Sequence, residues 1–183
     1  MSPEREWREL AETPVSTDTI YDGKILRVEK DTVLLPDGKK ATREIVRHPG
    51  AVAVVAEWEG SFLFVRQYRY ALEAVTLEIP AGKLERGEEP LICARRELRE
   101  ETGYDAELEF WGMFYSSPGF SDEKMYVYGA HSLVWSPLAA DDDEFLRVVR
   151  LPRAETFARL RGGEFIDAKT VLGLLIFKAR AGC

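Results

Sequence analysis

Histidine, cysteine and long apolar runs are all scarce in this chain of 183 residues, and each scarcity excludes a class of protein. The cysteines are Cys93 and Cys183 and the histidines are His48 and His131. These are too few for a disulfide framework or a structural zinc site. The longest uncharged apolar run, residues 171–177, is far shorter than the ~20 residues that span a bilayer. We therefore expect no membrane segment, and any bound metal should be a hard ion held by oxygen.

Positive charge is also in deficit, because 25 Lys and Arg residues face 32 Asp and Glu residues, for a net charge of −7. Binding to nucleic acid or to an anionic membrane surface needs a positive field, so we expect neither partner. The first ten residues, MSPEREWREL, are charged and have no apolar core of a secretory signal. Together these features predict a soluble, cytoplasmic protein.

The remaining pattern predicts more strands than helices. Residues 1–20 are polar and predict a loosely attached segment, followed by hairpins over residues 24–48 and 51–69. Further strands are predicted over residues 76–79, 107–115, 124–135 and 145–151, and helices over residues 89–102, 153–161 and 167–179. Because AVAVVA at residues 51–56 lacks alternation, we expect a strand covered on both faces. This order of elements predicts an α/β fold in which helices pack on a mixed sheet.

Three glutamates share one face of the helix predicted over residues 89–102. Helical residues three and four apart lie on the same face, so Glu97, Glu100 and Glu101 form one acidic stripe. Like charges at this spacing destabilise a helix by about 0.2–0.5 kcal/mol per pair. Two interpretations stay open at this point: ligands for cations, or a solvated face with Arg95, Arg96 and Arg99 as counter-ions. An adjacent apolar stripe, able to pack on the sheet, consists of Leu91, Ala94 and Leu98.

The stripe belongs to a longer pattern in residues 82–104, GKLERGEEPLICARRELREETGY. Its defined positions are Gly82, five residues, Glu88, seven residues, Arg96-Glu97-Leu98, one residue, Glu100-Glu101, one residue, Gly103 and Tyr104. This pattern resembles the signature of the Nudix hydrolases, with every defined position filled. The resemblance implies a Nudix-like α/β/α sandwich with a mixed β-sheet over residues 49–183, preceded by an N-terminal β-hairpin extension over residues 1–48.

The resemblance also implies the chemistry, which is hydrolysis of a nucleoside diphosphate by a metal-activated water. Cations must lie between a carboxylate stripe and a diphosphate, where they screen charge and polarise phosphorus. Mg²⁺ suits this position, and Mn²⁺ can replace it. Carried over by position, the metal ligands are Glu97, Glu100, Glu101 and the carbonyl of Ala81, while Arg96 pairs with Glu88 and supports the site.

Five further segments resemble the ADP-ribose pyrophosphatase branch, namely residues 42–46, 65–69, 77–82, 117–123 and 163–170. This implies cleavage of ADP-ribose to AMP and ribose 5-phosphate by a homodimer with exchanged N-terminal strands. The alternatives are another nucleoside diphosphate sugar, such as ADP-glucose or GDP-mannose, and a catalytically silent ADP-ribose sensor. The implied substrate contacts are Ile25, Arg43, Glu44, Arg69, Pro118, Ser121 and Glu123.

The general base is the least defined part of the resemblance. Relatives commonly place a glutamate on a late loop, and alignment on residues 145–149 puts Asp142 at that position, with Glu144 two residues later. Aspartate is one methylene shorter, and a general base must lie within hydrogen-bond reach of its proton. Asp142, Glu144 and Glu100 are therefore all candidates, and a merely solvated acidic loop is the alternative.

Overall fold

The computed structural model describes residues 9–139 and 145–182. The chain forms two compact units. One contains the described residues up to Pro49 together with Tyr115–Glu123, and the other begins at Gly50 and contains the rest. The segment Tyr115–Glu123 joins the first unit through the backbone, since the N–H of Val46 donates to the carbonyl of Phe120 at 2.8 Å.

The first unit is a three-stranded antiparallel sheet in the order β1-β2-β3. Its middle strand buries alternate residues, two of them acidic, Glu29 and Asp31. Arg47 compensates this buried charge, because its Nε lies 2.7 Å from Glu29 and its Nη2 lies 3.9 Å from Asp31. The strands are β1 (Thr13–Asp22), β2 (Arg27–Leu34) and β3 (Lys40–Arg47).

The strand β1 corrects the prediction that residues 1–20 are loosely attached, which is wrong from Thr13 onward. All ten of its residues are exposed, so no apolar alternation marks it in the sequence. Its order comes from antiparallel pairing with β2, in a register that is shifted at two points. Backbone pairing of this kind leaves little trace in side-chain composition.

The second unit contains a seven-stranded mixed sheet with helices on both faces. The sheet runs β10-β5-β4-β9-β8, with β6 paired to β5 and β7 paired to β4. The pair β4–β9 is parallel, whereas β4–β5 and β10–β5 are antiparallel. The elements are β4 (Ala51–Trp58), β5 (Ser61–Arg69), β6 (Ala74–Glu78), β7 (Ala81–Lys83), α1 (Pro90–Thr102), β8 (Tyr104–Tyr115), β9 (Lys124–Trp135), β10 (Leu146–Pro152), α2 (Arg153–Arg161) and α3 (Ala168–Arg180).

The core lies on both faces of β4, whose first six residues are all buried, as the AVAVVA run predicts. Val55 packs with Phe64 and Leu174 on the face covered by α2 and α3. On the opposite face, Val54 packs with Ala94 of α1. The strand therefore separates the two halves of an α/β/α sandwich.

The docking face of α1 differs from the predicted apolar stripe at one position. Ala94 and Leu98 are fully buried, but Leu91 is 49% exposed and Cys93 is buried instead. At about 100° per residue, the buried arc is centred between Ala94 and Glu101, and Leu91 in the first turn lies at its margin. Within the described ranges, no helix has the length and apolar content needed to cross a bilayer.

Candidate active site

Local sequence signals define α1 and hence the position of its acidic stripe. Pro90 begins the helix, where its missing N–H costs nothing, and Gly103 ends it in the left-handed conformation at φ 81°. The N–H of Gly103 donates to the carbonyl of Arg99 at 3.0 Å. The helix is oriented about its axis so that Glu97 and Glu101 are buried, with only 6% and 4% of their surface exposed. A solvated acidic face is therefore wrong for these two residues.

The short strand β7 lies directly against the stripe. A Cβ on Gly82 would lie 1.9 Å from the carboxyl carbon of Glu97, so only glycine admits that carboxylate. The N–H of Ala81 donates to Oε2 of Glu101 at 2.9 Å. Two acidic side chains of α1 therefore lie directly against the backbone of β7.

Arg96 is the cation at the centre of this group. It donates to Glu88 through Nε and Nη2, both at 3.0 Å, in the pairing that the signature implies. Its Nη1 also lies 2.8 Å from Glu97 and 2.9 Å from Glu100. The hydrogen bonds from Arg96 lower the pKa of Glu88, and those same bonds raise the pKa of Arg96. We call Glu88, Arg96, Glu97, Glu100 and Glu101 the acidic site.

The other two candidate counter-ions point elsewhere. Arg95 Nε lies 3.1 Å from Asp105, and Arg99 donates to the carbonyl of Ser136 at 2.8 Å. Arg96 is thus the one arginine of the three that contacts the stripe within the described residues.

The acidic site has the donor chemistry of a hard divalent ion. Its three stripe carboxylates offer oxygen ligands, and two of them are nine-tenths buried. Over residues 9–139 and 145–182, no three acidic, histidine or cysteine side chains already converge as metal ligands. Arg96 draws Glu97 and Glu100 toward itself, while the N–H of Ala81 holds Glu101. The residues fit a metal by chemical type and by burial, and these hydrogen bonds hold the carboxylates apart in the structure.

Arg69, the predicted phosphate contact, is held by a buried carboxylate on β6. Its Nε and Nη2 donate to Glu78 at 2.8 and 2.6 Å. This hydrogen bonding raises the pKa of Arg69, and the charges of Asp167 and Glu101 contribute in the same direction. The guanidinium of Arg69 is therefore held by a charged, two-point hydrogen bond to Glu78.

Sequence reasoning missed the partners of Glu78. Its carboxylate also accepts from the Thr76 hydroxyl at 2.6 Å and from Lys169, whose Nζ lies 3.0 Å from Asp167. Burial raises the pKa of Glu78, but the hydrogen bonds and positive charges of these neighbours outweigh it and lower the pKa to about 2. The sequence did point to the segment that supplies two of these partners, because residues 163–170 are one of the five segments of the resemblance. The resemblance assigned no role to that segment. We call Arg69, Thr76, Glu78, Asp167 and Lys169 the Glu78 network.

The remaining described substrate candidates lie in the first unit. Arg43 is paired with Glu12, while Ile25 and Glu44 on neighbouring segments are exposed. In the 115–123 segment, the N–H of Glu123 donates to the Ser121 hydroxyl at 3.2 Å. Pro118 is exposed in the same segment, whereas Asp142 and Glu144 lie outside the described residues.

Comparison with known proteins places this arrangement in a family. Residues 46–171 match the NUDIX domain, and residues 12–46 match the nucleoside diphosphate sugar hydrolase N-terminal domain. A methanol dehydrogenase activator from Bacillus methanolicus is 44% identical over 167 residues, covering 89% of this chain and 90% of the relative. An ADP-ribose pyrophosphatase from Bacillus subtilis (strain 168) is 43% identical over 171 residues, covering 91% and 92%.

A solved structure supports the same assignment. The crystal structure of an ADP compounds hydrolase superposes with a TM-score of 0.82 at 25% identity, covering 92% of both chains. This match confirms the predicted Nudix-like sandwich with its mixed sheet and N-terminal sheet. The family match covers more than half of the chain, and the relatives span about nine-tenths of it. The chain therefore belongs to the Nudix family.

Proposed function

We propose that this protein is a Mg²⁺-dependent hydrolase that cleaves ADP-ribose to AMP and ribose 5-phosphate. The observation that carries the proposal is the burial of Glu97 and Glu101 against β7, where Gly82 leaves room for the Glu97 carboxylate. Burying like charges costs stability, so this arrangement is best explained by a bound cation. The Bacillus subtilis relative, named an ADP-ribose pyrophosphatase, supports the substrate.

In this proposal the acidic site holds the metal through Glu97, Glu100, Glu101 and the Ala81 carbonyl. When bound, Mg²⁺ screens the diphosphate, polarises phosphorus and lowers the pKa of a bound water. Arg96 keeps the loop before α1 against the helix by holding Glu88. Arg69 binds the diphosphate, because its guanidinium fork matches phosphate oxygens.

Further substrate contacts are proposed for residues that the resemblance singles out outside the acidic site. Arg43, Glu44 and Ile25 would contact the adenine side, and Ile25 supplies an exposed apolar surface for a base. The 117–123 segment would contact the terminal ribose through Pro118, Ser121 and Glu123. Hydroxyl and carboxylate groups suit this role, since a ribose offers both donors and acceptors.

The general base is proposed to be Asp142, Glu144 or Glu100. Of these, Glu100 accepts a hydrogen bond from Arg96 at 2.9 Å. Glutamine at 100 and 144, and asparagine at 142, would separate the three. The variant that loses turnover while retaining substrate affinity identifies the base, whereas a lost metal ligand would also weaken Mg²⁺ binding.

We also propose a homodimer in which residues 1–48 dimerise and residues 49–183 form the catalytic domain. β1 supports this, because Ile20 and Tyr21 are more than half exposed on an outer strand. Light scattering of the Ile20→Lys variant should show a shift toward monomer.

A cytoplasmic location is proposed as well, supported by the free thiol of Cys93, and cell fractionation tests it.

A second candidate is the same hydrolysis on another nucleoside diphosphate sugar, favoured by the match of residues 12–46 to the N-terminal domain of such hydrolases. Hydrolysis of ADP-ribose, ADP-glucose and GDP-mannose in ¹⁸O-labelled water, with the products weighed, decides between them. We expect the highest kcat/KM for ADP-ribose, with ¹⁸O in one phosphate product. A higher kcat/KM for another sugar favours the second candidate. Binding of ADP-ribose without cleavage at saturating Mg²⁺ would overturn the proposal and indicate a sensor.

A further inference from the structure

The first turn of α3 holds charged side chains to which the proposed function gives no role. Asp167 caps this helix by accepting the N–H of Thr170 at 3.0 Å, and it also lies 3.0 Å from Nζ of Lys169. Lys169 in turn donates to Glu78, which is 2% exposed. In the Glu78 network two carboxylates meet two cations, so the network is neutral without any further ion.

One part of the Glu78 network remains available to a ligand, namely one edge of the Arg69 guanidinium. Arg69 uses Nε and Nη2 to bind Glu78, which fixes one edge of its guanidinium. Within the described residues Nη1 has no hydrogen-bond partner, and the side chain is 42% exposed. An arginine held along one edge can still donate two parallel hydrogen bonds from the other edge to phosphate.

The same turn of α3 also holds the backbone that leads to the acidic site. The N–H of Ile79 donates to the Thr170 hydroxyl at 2.9 Å, and that hydroxyl donates to Asp167 at 2.5 Å. In the chain, Ile79 lies between Glu78 and the Pro80-Ala81-Gly82 segment, which contacts the acidic site. One helix end thus holds both the carboxylate that binds Arg69 and the strand end that leads to β7.

We infer that Lys169 and Asp167 are positioning residues for the diphosphate. Asp167 holds Lys169, Lys169 holds Glu78, and Glu78 holds Arg69 with the free edge of its guanidinium in a fixed orientation. A side chain fixed before binding loses less conformational freedom when the ligand arrives, which strengthens binding. This inference rests on the proposed function, in which Arg69 binds the diphosphate.

The test compares Lys169→Met with Lys178→Met, a lysine on the same helix for which the structure shows no ion pair within the described residues. Hydrolysis of ADP-ribose is measured at saturating Mg²⁺. We expect Lys169→Met to raise KM about tenfold with kcat changed less than about threefold, as loss of ground-state binding requires. Lys178→Met should match the wild type, and Lys169→Arg should recover most of the affinity.

A double-mutant cycle tests whether Lys169 acts through Arg69. In the Arg69→Met background, Lys169→Met should lower kcat/KM by less than about twofold further, because both substitutions remove the same interaction. Additive losses would overturn the inference and indicate a structural role for Lys169.

A second readout needs no activity. The Nε–H of Arg69, assigned in a ¹H–¹⁵N spectrum by its disappearance in Arg69→Met, should be slow to exchange in the wild type and in Lys178→Met. In Lys169→Met it should broaden or exchange rapidly, and an unchanged signal overturns the inference. If Arg69→Met cleaves ADP-ribose as well as the wild type does, the phosphate role of Arg69 fails, whereas this spectrum still decides whether Lys169 fixes Arg69.

Discussion

The acidic site and the Glu78 network are both built on buried carboxylates, but their charge balance differs. In the acidic site Arg96 pairs with Glu88, Glu97 and Glu100, while Glu101 accepts a hydrogen bond from the N–H of Ala81. In the Glu78 network Arg69 and Lys169 balance Glu78 and Asp167. The cations of the Glu78 network thus equal its carboxylates in number, whereas the acidic site has four carboxylates and one cation among its own five residues. We therefore expect the acidic site, and not the Glu78 network, to bind divalent cations.

The largest expected effect comes from replacing the two buried carboxylates of the acidic site. Glu97→Gln and Glu101→Gln should each lower kcat more than about 100-fold, beyond the range typical of residues that only support a metal ligand. The fold should persist, because each change removes a buried charge while keeping the side-chain shape. Turnover of ADP-ribose and thermal unfolding without Mg²⁺ are the measurements, with exposed Glu107→Gln as the matched control. Near-normal turnover in both variants would end the metal-ligand assignment.

The next effect concerns the space that the acidic site needs. Gly82→Ala should displace the Glu97 carboxylate, since the added Cβ would meet it at 1.9 Å. Crowding of this kind costs about 1–3 kcal/mol, and turnover should fall with it. Gly162→Ala is the control, because its Cβ would meet nothing closer than 3.5 Å. Denaturant unfolding and kcat are measured together, and an active, stable Gly82→Ala enzyme would contradict the geometry described here.

The balanced network should appear in the pH dependence of stability. The pKa of Glu78 is lowered from 4.5 to about 2, so its contribution is fully present above about pH 5 and is lost as pH falls toward 2. The size of this contribution is on the order of 3 kcal/mol. Glu78→Gln should therefore flatten the stability profile between pH 5 and pH 2. Urea unfolding across this range is the measurement, and a profile as steep as that of Glu107→Gln would contradict it.

The smallest effect should come from an ion pair outside both groups. Arg95 is half exposed and pairs with Asp105 at 3.1 Å. Pairs of this kind contribute at most about 1 kcal/mol, so Arg95→Ala should lower stability slightly and leave kcat/KM unchanged. Arg96→Ala should instead reduce turnover strongly, since it releases Glu88, Glu97 and Glu100. Equal effects of the two substitutions, measured by urea unfolding and ADP-ribose turnover, would remove the distinction between the two arginines.

Elements with local signals were predictable from the sequence. The bounds of α1 follow from Pro90 and Gly103, and the buried strand β4 follows from its continuous apolar run. The strand β1 lacked such a signal because all its residues are exposed. The strand β7 has only three residues, too few for a periodic pattern, and it pairs with β4.

The acidic site and the Glu78 network also differ in how well the sequence predicts them. The acidic site lies within one helix and the loop before it, so helical spacing already predicts its stripe. Glu78 and Lys169 are 91 residues apart in the chain, and only the packing of α3 near the end of β6 joins them. Long-range pairs of this kind carry no periodicity, which is why the partners of Glu78 were missed.

The claim that the acidic stripe holds divalent cations is tested most directly by anomalous diffraction. Crystals grown with Mn²⁺ and a non-cleavable ADP-ribose analogue should show anomalous peaks within coordination distance of Glu97 and Glu101, between these carboxylates and the diphosphate. Crystals that contain the bound analogue but show no peak at these carboxylates, or only a peak elsewhere, would contradict the account.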